Sequence, residues 1–431
     1  MTSLVIINLF IIIVAIVGIR LSYNKGLYLY STVMIGISVP AVIIPFLLVL
    51  IGYESWRIVT VIKPEIAFNL QLNYLSFLLA FLTTYYFFNL VNKTEKFRIH
   101  NKSNKLFYFI LVILGLSLYS YYIYSIGIFT LSSDIRTAKY YEGQGLGLFE
   151  YGINLLIISV ICAEFFNNTL LRYIGRIIGL TIIYWSIFVL GIRTYPGIIV
   201  VSWLFIYASN NNVKIITVRN FLILILLIYV FNAIAIMRSF PREIWLENIN
   251  VIFSFNWPHI IGTLDHSNSY INFYEIVTMI KTEGNIDTYL KAFTNLIPSQ
   301  IYNSGHGTPS EIFTSYLYPD IFEKGGRIAS SLVGELWYFG GSIIGPVIGG
   351  IIIGCLILFI EVISHKSNSK IFSLLYVYLI FYTLFIERTG LYAFIKIFIN
   401  ILILSAFAFQ IYIITKTLLG PFIRKGIIDA K

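Results

Sequence analysis

The chain has 431 residues, of which 58% are hydrophobic and only 12% are charged, whereas about a quarter of the residues in an ordinary soluble domain are charged. Runs of about twenty apolar residues recur along the sequence, and each is long enough to cross a hydrocarbon layer roughly 30 Å thick. The composition therefore excludes a soluble protein and makes the lipid bilayer the first predicted partner. The net charge of +10 is typical of membrane proteins that keep Lys and Arg on the cytoplasmic face, so it predicts no nucleic-acid partner.

The apolar runs predict an all-α polytopic membrane protein with about eleven transmembrane helices and one large extracytoplasmic loop that contains short helices. The predicted helices lie at about residues 4–20, 27–52, 68–91, 106–127, 150–171, 177–191, 195–209, 221–238, 341–363, 371–386 and 390–415. The first run has no basic segment before it and no small-residue cleavage site after it. It is therefore predicted to be a retained span rather than a signal peptide.

The orientation follows from the segment 92–105, which carries five basic residues and one acid, Glu95. Segments rich in Lys and Arg stay on the cytoplasmic side of a membrane, so this segment is predicted to be cytoplasmic. Alternation of the spans then places the N-terminus outside, the C-terminus inside, and the loop 239–340 on the outer face.

Three regions follow from this topology. Residues 1–238 form an N-terminal transmembrane bundle of about eight spans, 239–340 form the large extracytoplasmic loop, and 341–431 form about three C-terminal transmembrane helices and a cytoplasmic tail. The loop contains several prolines and an expected amphipathic helix around 271–280. A loop of this length in a compact protein is usually functional or a small domain. No internal repeat is visible, which disfavours transporters built from inverted repeats.

Four arginines are predicted to lie where a span meets the outer surface. A cation held there, away from the cytoplasm, is expected to pair with an anionic group or to have a functional role. They are Arg193 in the turn between two short helices, Arg238 at the end of the eighth span, Arg327 shortly before the ninth, and Arg388 in a short outer turn. Guanidinium groups match phosphate oxygens in two-point contacts, so together these arginines are candidate ligands for a polyanion. For any single one, contact with lipid headgroups or pairing with an acid such as Glu387 is the alternative.

Glu335 is an acid in an otherwise apolar approach to the ninth span, within the sequence Ser-Leu-Val-Gly-Glu-Leu-Trp-Tyr-Phe-Gly-Gly. Desolvation there would raise its pKa toward the range of a general base, which makes Glu335 a candidate catalytic residue. A carboxylate that stabilises a helix start through the helix dipole is the alternative. The glycines that follow recur every four residues and predict close packing of helix backbones. They are Gly341, Gly345 and Gly349, then Gly350 and Gly354 with an offset of one residue.

His306 lies in a Gly- and Ser-rich segment of the outer loop and is the second candidate catalytic residue, as a base or a sugar contact. A solvated loop residue is the alternative. The histidines of the loop show no tight metal-ligand spacing, and the two cysteines lie in different apolar runs. Neither a metal site nor a disulfide framework is therefore predicted. No nucleotide-binding motif is found, so no cofactor is predicted.

The order of these features resembles the bacterial polymerases that join O-antigen or capsule repeat units, the Wzy type. The resemblance rests on the many spans, the Gly-Ile-Arg-Thr turn at 191–194, the large outer loop, and the Glu335 sequence that runs into a glycine-rich span. It covers the topology of nearly the whole chain, and its sharper motifs cover residues 191–194 and 298–350. It implies a multi-pass protein of the bacterial plasma (inner) membrane, with an active site that faces the periplasm or exterior.

The resemblance also implies the chemistry, a glycosyl transfer in the biosynthesis of lipopolysaccharide or another surface polysaccharide. A growing chain on undecaprenyl pyrophosphate is the donor, the next lipid-linked repeat unit is the acceptor, and a chain-length regulator protein is a further partner. The pyrophosphate would be held by Arg193, Arg238, Arg327 and Arg388, while Glu335 or His306 takes a proton from the acceptor. Since guanidinium groups would stabilise the departing charge, the glycosyltransferase is expected to be metal-independent.

Two other functions stay open at this point. An O-antigen ligase shares the chemistry and differs mainly in its acceptor. A polysaccharide-lipid flippase belongs to the same pathway, but it would be expected to show two similar halves, short loops and charged residues inside its spans. This chain instead concentrates its polar residues in one outer loop.

Overall fold

The computed structural model describes residues 2–51, 63–91, 104–126, 151–189, 192–211, 229, 233, 247–252, 265–280, 284–296, 307–323, 327–328, 330–366 and 370–428. The secondary structure of this part of the chain is helical, as the composition predicts. In chain order the α-helices are α1 (Thr2–Asn24), α2 (Tyr28–Ile51), α3 (Pro64–Val91), α4 (Lys105–Ile126), α5 (Gly152–Glu164), α6 (Thr169–Tyr184), α7 (Thr194–Asn211), α8 (Ile249–Ile252), α9 (Asp265–Met279), α10 (Ile286–Ala292), α11 (Pro309–Leu317), α12 (Pro319–Glu323), α13 (Leu332–Gly340), α14 (Ile344–Lys366), α15 (Lys370–Leu384), α16 (Ile386–Thr389) and α17 (Leu391–Ile428).

Six of the described helices are long and apolar enough to cross a membrane, by length and composition. These candidate spans are Ser3–Asn24, Pro64–Phe88, Lys105–Ser125, Thr169–Ile187, Ile344–His365 and Leu391–Leu418. Shorter apolar helices occupy Tyr28–Val42, Gly152–Glu164, Thr194–Ser209 and Ile371–Leu384. The helices therefore fit a multi-pass membrane protein. The count of eleven crossings stays a prediction, since the eighth predicted span, 221–238, lies outside the described residues apart from Tyr229 and Ala233.

One predicted boundary is wrong. The sequence pattern predicts a span at 150–171 and a cytoplasmic loop that carries Arg172 and Arg176, but the chain leaves its helix earlier, at the end of α5. Asn168 accounts for the break, because its side chain accepts hydrogen bonds from two backbone amides in the first turn of α6 and caps that helix. Arg176 therefore lies within α6, where its guanidinium makes a two-point ion pair with Glu164 at 2.7 and 3.0 Å.

The described chain divides into two compact units. The first unit contains Met1–Arg98, Lys214–Ser367 and Leu379–Ile395, and the second contains Ile99–Val213, Asn368–Tyr378 and Lys396–Lys431. Helices α15 and α17 contribute residues to both units. All candidate site residues that the structure describes lie in the first unit, except Arg193.

In the second unit, α5 is the central helix, with every residue from Gly152 to Ala163 buried. A glycine brings α4 close to it, because a Cβ on Gly115 would lie 2.8 Å from the Cγ of Leu156. The buried side-chain oxygen of Asn154 accepts a 2.8 Å hydrogen bond from the Tyr378 hydroxyl. This bond ties the first part of α15 to the centre of the unit.

In the first unit, α1, α3 and α14 run in the same direction. The start of α1 packs on the start of α3. The Ile343 amide, just before α14, donates a 2.8 Å hydrogen bond to the side-chain oxygen of Asn73 in α3. Further along both helices, Thr84 lies against Gly354. The start of α14 is therefore level with Asn73 and not with the start of α3.

The glycines of α14 form two separate faces. The first pair, Gly345 and Gly349, faces α13, where a Cβ on either would overlap Leu336. The second pair faces α3, where a Cβ on Gly350 would lie 2.6 Å from the carbonyl oxygen of Phe77. The predicted close packing is confirmed, and the offset of one residue turns the second pair by about 100° toward a different helix.

The start of α2 is capped from another helix. A carboxylate oxygen of Glu361, in α14, accepts the Tyr30 backbone N–H at 3.1 Å. The other oxygen of Glu361 lies 3.1 Å from Nε2 of His365, and both of these side chains are buried. The Tyr30 amide belongs to the first turn of α2, whose amides have no partner inside the helix. Glu361 therefore removes the cost of burying this amide without an acceptor.

The region predicted as a large outer loop contains α8 to α12 and α13. The helix expected around 271–280 is part of α9, but every residue from Ser269 to Ile276 is buried. The expectation of an amphipathic helix is wrong, because α2, α3, α13 and α16 all contact α9 and cover it. The position of this region on the outer face stays a prediction.

Candidate active site

Helix α13 brings Glu335 to the approach to α14, and its own first turn is capped by two residues. The Ser331 hydroxyl is the N-cap and accepts a 3.0 Å hydrogen bond from the Gly334 amide. The Val333 amide, in the same turn, donates a 3.3 Å hydrogen bond to Oε2 of Glu387 in α16. A carboxylate from another helix thus completes the start of α13.

Glu335 completes the start of α17 in the same way. Its Oε2 accepts the backbone N–H of Leu391 at 3.1 Å and, more weakly, that of Tyr392 at 3.5 Å. Gly390 precedes these residues with a φ of +75°, and a Cβ on Gly390 would overlap the Glu335 carboxylate. Glu387 therefore caps α13, the helix that carries Glu335, and Glu335 caps α17, the helix that follows Glu387. We call these two residues the carboxylate pair.

Hydroxyl groups complete the hydrogen bonding of the carboxylate pair. Ser330 donates to one oxygen of Glu335, and Tyr289 donates to the other at 3.2 Å. Ser331 and Tyr74 both donate to Oε1 of the second carboxylate, Tyr74 at 2.7 Å. The partners described for the pair are thus hydroxyls and backbone amides, none of which carries a positive charge.

Burial changes the acidity of the carboxylate pair. Both side chains are almost fully removed from solvent. Desolvation raises the pKa of Glu335 to about 7 and that of Glu387 to about 8, although the hydrogen bonds from their neighbours lower both values. Repulsion from Glu335 raises the pKa of Glu387 further. The pair therefore holds a proton near neutral pH and can exchange it, which is the property of a general acid or base.

Helix α9 supports the carboxylate pair from the predicted loop and carries a third buried carboxyl, Glu275. One oxygen of Glu275 accepts a 2.6 Å hydrogen bond from the Tyr318 hydroxyl. On the same helix, Tyr270 stacks on Tyr74 with ring centroids 6.1 Å apart, and Tyr74 is the residue that donates to Glu387. The helices of the predicted loop and the candidate span α3 therefore meet at this site.

Arg327 lies at the surface, close in sequence to the carboxylate pair. Its guanidinium bonds Glu311 through Nε at 3.2 Å and Nη2 at 3.1 Å. It also lies over the Phe322 ring, 4.6 Å from the centroid. Pairing with an acid is therefore the arrangement observed for Arg327. The residue stands three positions before Ser330, which donates to Glu335.

Arg388 is half-buried in α16. It follows Glu387 directly and comes three residues before Leu391, whose amide donates to Glu335. The structure thus brings together Glu335 and the turn that carries Arg388, two of the predicted site features. The backbone amide of Leu391 makes the contact between the two segments.

The other sequence-predicted site residues cannot be placed in this arrangement. Arg193 belongs to the second unit, where its carbonyl oxygen accepts the Gly197 amide at 3.1 Å at the start of α7. Arg238 and His306 lie outside the described residues. Convergence of the four arginines on one polyanion therefore stays a prediction.

Sequence reasoning missed most partners of Glu335. It named Glu387 only as an example of an acid that could pair with one of the four arginines, although an acid in a short turn between two apolar runs was a usable signal. Tyr74 and Tyr289 gave no signal, because tyrosine is common throughout this chain. Their approach to the carboxylate pair depends on packing between segments that are distant in sequence.

Among the described residues, no group of three or more His, Cys, Asp or Glu side chains is placed to hold a metal ion. Comparisons with protein-family models, with characterised proteins and with solved structures each return no match. The function is therefore argued from the chemistry of the site, because a helical fold alone does not specify an activity.

The thermal stability of the purified protein should fall as the pH rises from about 5 to about 8. Unfolded glutamates ionise near 4.5, whereas the native carboxylate pair ionises near 7 and 8. The native state therefore binds more protons in this window and loses stability as they leave. Replacing Glu387 with Gln removes one of these protons and should flatten the dependence of the melting temperature on pH.

Glu323→Gln is the matched control for this experiment. Glu323 is exposed, so its replacement should leave the pH dependence of the wild-type melting temperature unchanged. An unaltered slope in Glu387→Gln, with the control also unaltered, would show that Glu387 has an ordinary pKa and would contradict its place in the site.

Proposed function

We propose that the protein is a membrane-embedded glycosyltransferase that joins lipid-linked oligosaccharides and so polymerises the repeat units of a surface polysaccharide. The observation that carries this proposal is Glu335, a buried carboxyl with a pKa of about 7 in the approach to the candidate span of α14. A proton acceptor at the boundary of a span suits a reaction between two lipid-linked molecules. The sequence resemblance to Wzy-type polymerases points the same way.

In the proposed reaction the donor is an oligosaccharide on undecaprenyl pyrophosphate, and the acceptor is a lipid-linked repeat unit. The acceptor hydroxyl loses its proton, and its oxygen bonds to the anomeric carbon of the donor. The bond from that carbon to the pyrophosphate breaks, and both electrons leave with the phosphate oxygen. Since both Glu335 oxygens already accept hydrogen bonds, the Ser330 hydroxyl relays the proton, giving its own to Glu335 and taking that of the acceptor.

The departing pyrophosphate needs positive charge, which arginine supplies in a two-point contact. Arg388 lies in the turn directly before the helix start that Glu335 caps. Arg327 forms a surface ion pair with Glu311, each side chain being about a third exposed. Such pairs are worth about 0–1 kcal/mol, so Arg327 can exchange its carboxylate for a phosphate at little cost. The candidates that rest on the sequence pattern alone are Arg193, Arg238 and His306.

A Glu335→Gln variant should fail to extend repeat units in a strain whose own copy of the gene is deleted. Loss of a general base slows such reactions by about 10²- to 10⁴-fold. A gel of the surface polysaccharide should show lipid A core that carries a single repeat unit, in place of the ladder of long chains. Glu323→Gln should keep the ladder, and membrane abundance measured in the same cells excludes a folding loss. A full ladder from Glu335→Gln would refute the role of this residue.

Arg327→Ala should also abolish the ladder, because the guanidinium that stabilises the leaving pyrophosphate is lost. The matched control is Glu311→Gln, which removes the same ion pair but leaves the guanidinium, and it should polymerise normally. Arg193→Ala is expected to behave like Arg327→Ala. Long polysaccharide in the arginine variants would reject the pyrophosphate contact.

The deletion strain separates the alternative functions. A deletion strain whose lipid A core carries no repeat unit at all would favour a ligase or a flippase over a polymerase.

A further inference from the structure

The turn between α13 and α14 holds its backbone in an unfavourable conformation. Ile343 has a φ of +63°, and among the residues that the structure describes it is the one non-glycine residue with a positive φ. The Ile344 amide donates a 2.7 Å hydrogen bond to the Ser342 carbonyl oxygen, so Ile343 is the central residue of a γ-turn. With a positive φ, this is the rare and strained form of the γ-turn. A β-branched residue is an outlier there, because its Cβ crowds the following carbonyl oxygen.

Close packing between α13 and α14 requires this sharp turn. Only residues 341–343 connect the two helices, and a Cβ on Gly345 would overlap the carbonyl oxygen of Leu336. Gly341, with a φ of +81°, adopts its conformation at little cost because it has no Cβ. Ile343 has no such freedom. Strain of this kind persists only where the surrounding structure fixes the backbone.

Asn73 of α3 holds the turn from outside. Its Oδ1 accepts the Ile343 backbone N–H at 2.8 Å, and its Nδ2 donates to the Asn69 carbonyl oxygen at 2.7 Å. The second bond fixes the orientation of the side-chain amide, so that the oxygen faces the turn. Asn73 is 2% exposed, and burial strengthens the bond to Ile343 because water does not compete for the acceptor. Asn73 is therefore placed to keep the turn in its strained conformation.

The next residue of α3 holds the other end of α13. Tyr74 donates a 2.7 Å hydrogen bond to Oε1 of Glu387, whose Oε2 accepts the Val333 amide in the first turn of α13. Successive residues of α3 thus act on both ends of a helix of nine residues. Glu335 lies on this helix and accepts the Leu391 amide at 3.1 Å. A shift of either end of α13 therefore moves the Glu335 carboxyl relative to the start of α17.

We propose that Asn73 is a positioning residue, which fixes the end of α13 through the strained turn at Ile343 and so keeps the Glu335 carboxyl buried at the start of α17. Without the Asn73 acceptor the turn relaxes, and α13 leaves its place against α14. A carboxyl that moves with α13 gains water, and its pKa falls. The effect of Asn73 on glycosyl transfer rests on the proposed function, whereas its effect on Glu335 does not.

Infrared titration of the purified full-length protein tests this proposal. Asn73→Leu keeps the size of the side chain and removes the acceptor. The Glu335 band, identified as the band that is lost in Glu335→Gln, should then titrate with a midpoint that falls from about 7 toward 4.5. Adding Ile343→Gly to Asn73→Leu should return the midpoint to about 7. Glycine adopts a positive φ without strain, so the turn no longer depends on the acceptor.

Ser76→Ala is the matched control. Ser76 is half-buried on the same helix, and its hydroxyl donates to the Asn73 carbonyl oxygen at 2.9 Å. Its replacement removes a hydrogen bond of α3 and leaves the Asn73 side chain in place, so the Glu335 midpoint should stay at about 7. The titratable side chains that act on Glu335, those of Tyr289 and Glu387, are retained in these variants.

Three results would overturn the proposal. The first is a lower melting temperature of Asn73→Leu with an unchanged Glu335 midpoint, because Asn73 would then only stabilise the fold. The second is a shifted midpoint that Ile343→Gly does not restore, since the turn would then not carry the effect. If Asn73→Leu yields no folded protein, the double variant should recover it, and a double variant that also fails to fold is the third.

The polysaccharide ladder separates this proposal from the proposed function. Asn73→Leu should slow the extension of repeat units by up to about 100-fold, the cost of a displacement of about 1 Å in an active site, and the double variant should recover the ladder. Midpoints that shift and return as expected, in a protein that extends no oligosaccharide, support the positioning role and reject the polymerase. A full ladder and an unchanged midpoint in Asn73→Leu reject the positioning role and support the polymerase.

Discussion

Backbone amides at the start of a helix have no partner inside that helix, and burying one without an acceptor costs about 1–3 kcal/mol. In the first unit, three helix starts meet this requirement with a glutamate from a different helix. Glu361 caps α2, Glu387 caps α13, and Glu335 caps α17. Each contact joins segments that are distant in the sequence. The same carboxylates therefore complete individual helices and hold the first unit together.

This requirement also sets the chemistry of the site. A carboxyl that caps a buried helix start gives up its water, and desolvation raises the pKa of Glu335 to about 7 and that of Glu387 to about 8. A structural cap and a proton acceptor are the two interpretations of Glu335 that its sequence context allows. In the folded protein both interpretations apply to one group, because the packing that places the carboxyl at the start of α17 also removes it from water, and this desolvation raises its pKa. The proposed glycosyl transfer uses that property.

Local patterns made part of this structure predictable. Apolar runs indicated the helical membrane class, and the four-residue spacing from Gly345 onward indicated the close packing of α14. Glu335 was identifiable because it stands alone in an apolar segment. Its pairing with the start of α17 was not, since it depends on contact with Leu391, 56 residues away. The ion pair between Arg327 and Glu311 and the burial of α9 likewise depend on how the helices between residues 265 and 340 pack.

Infrared difference spectroscopy of the purified protein tests most directly whether the carboxylate pair holds a proton near neutral pH. The C=O stretching band of a protonated carboxyl disappears when the group ionises. We expect bands that disappear with midpoints near 7 and 8, one of which is missing in each of the Glu335→Gln and Glu387→Gln variants. Midpoints near 4.5 for both residues, the ordinary value of a glutamate, would contradict the burial of the pair and its role in proton transfer.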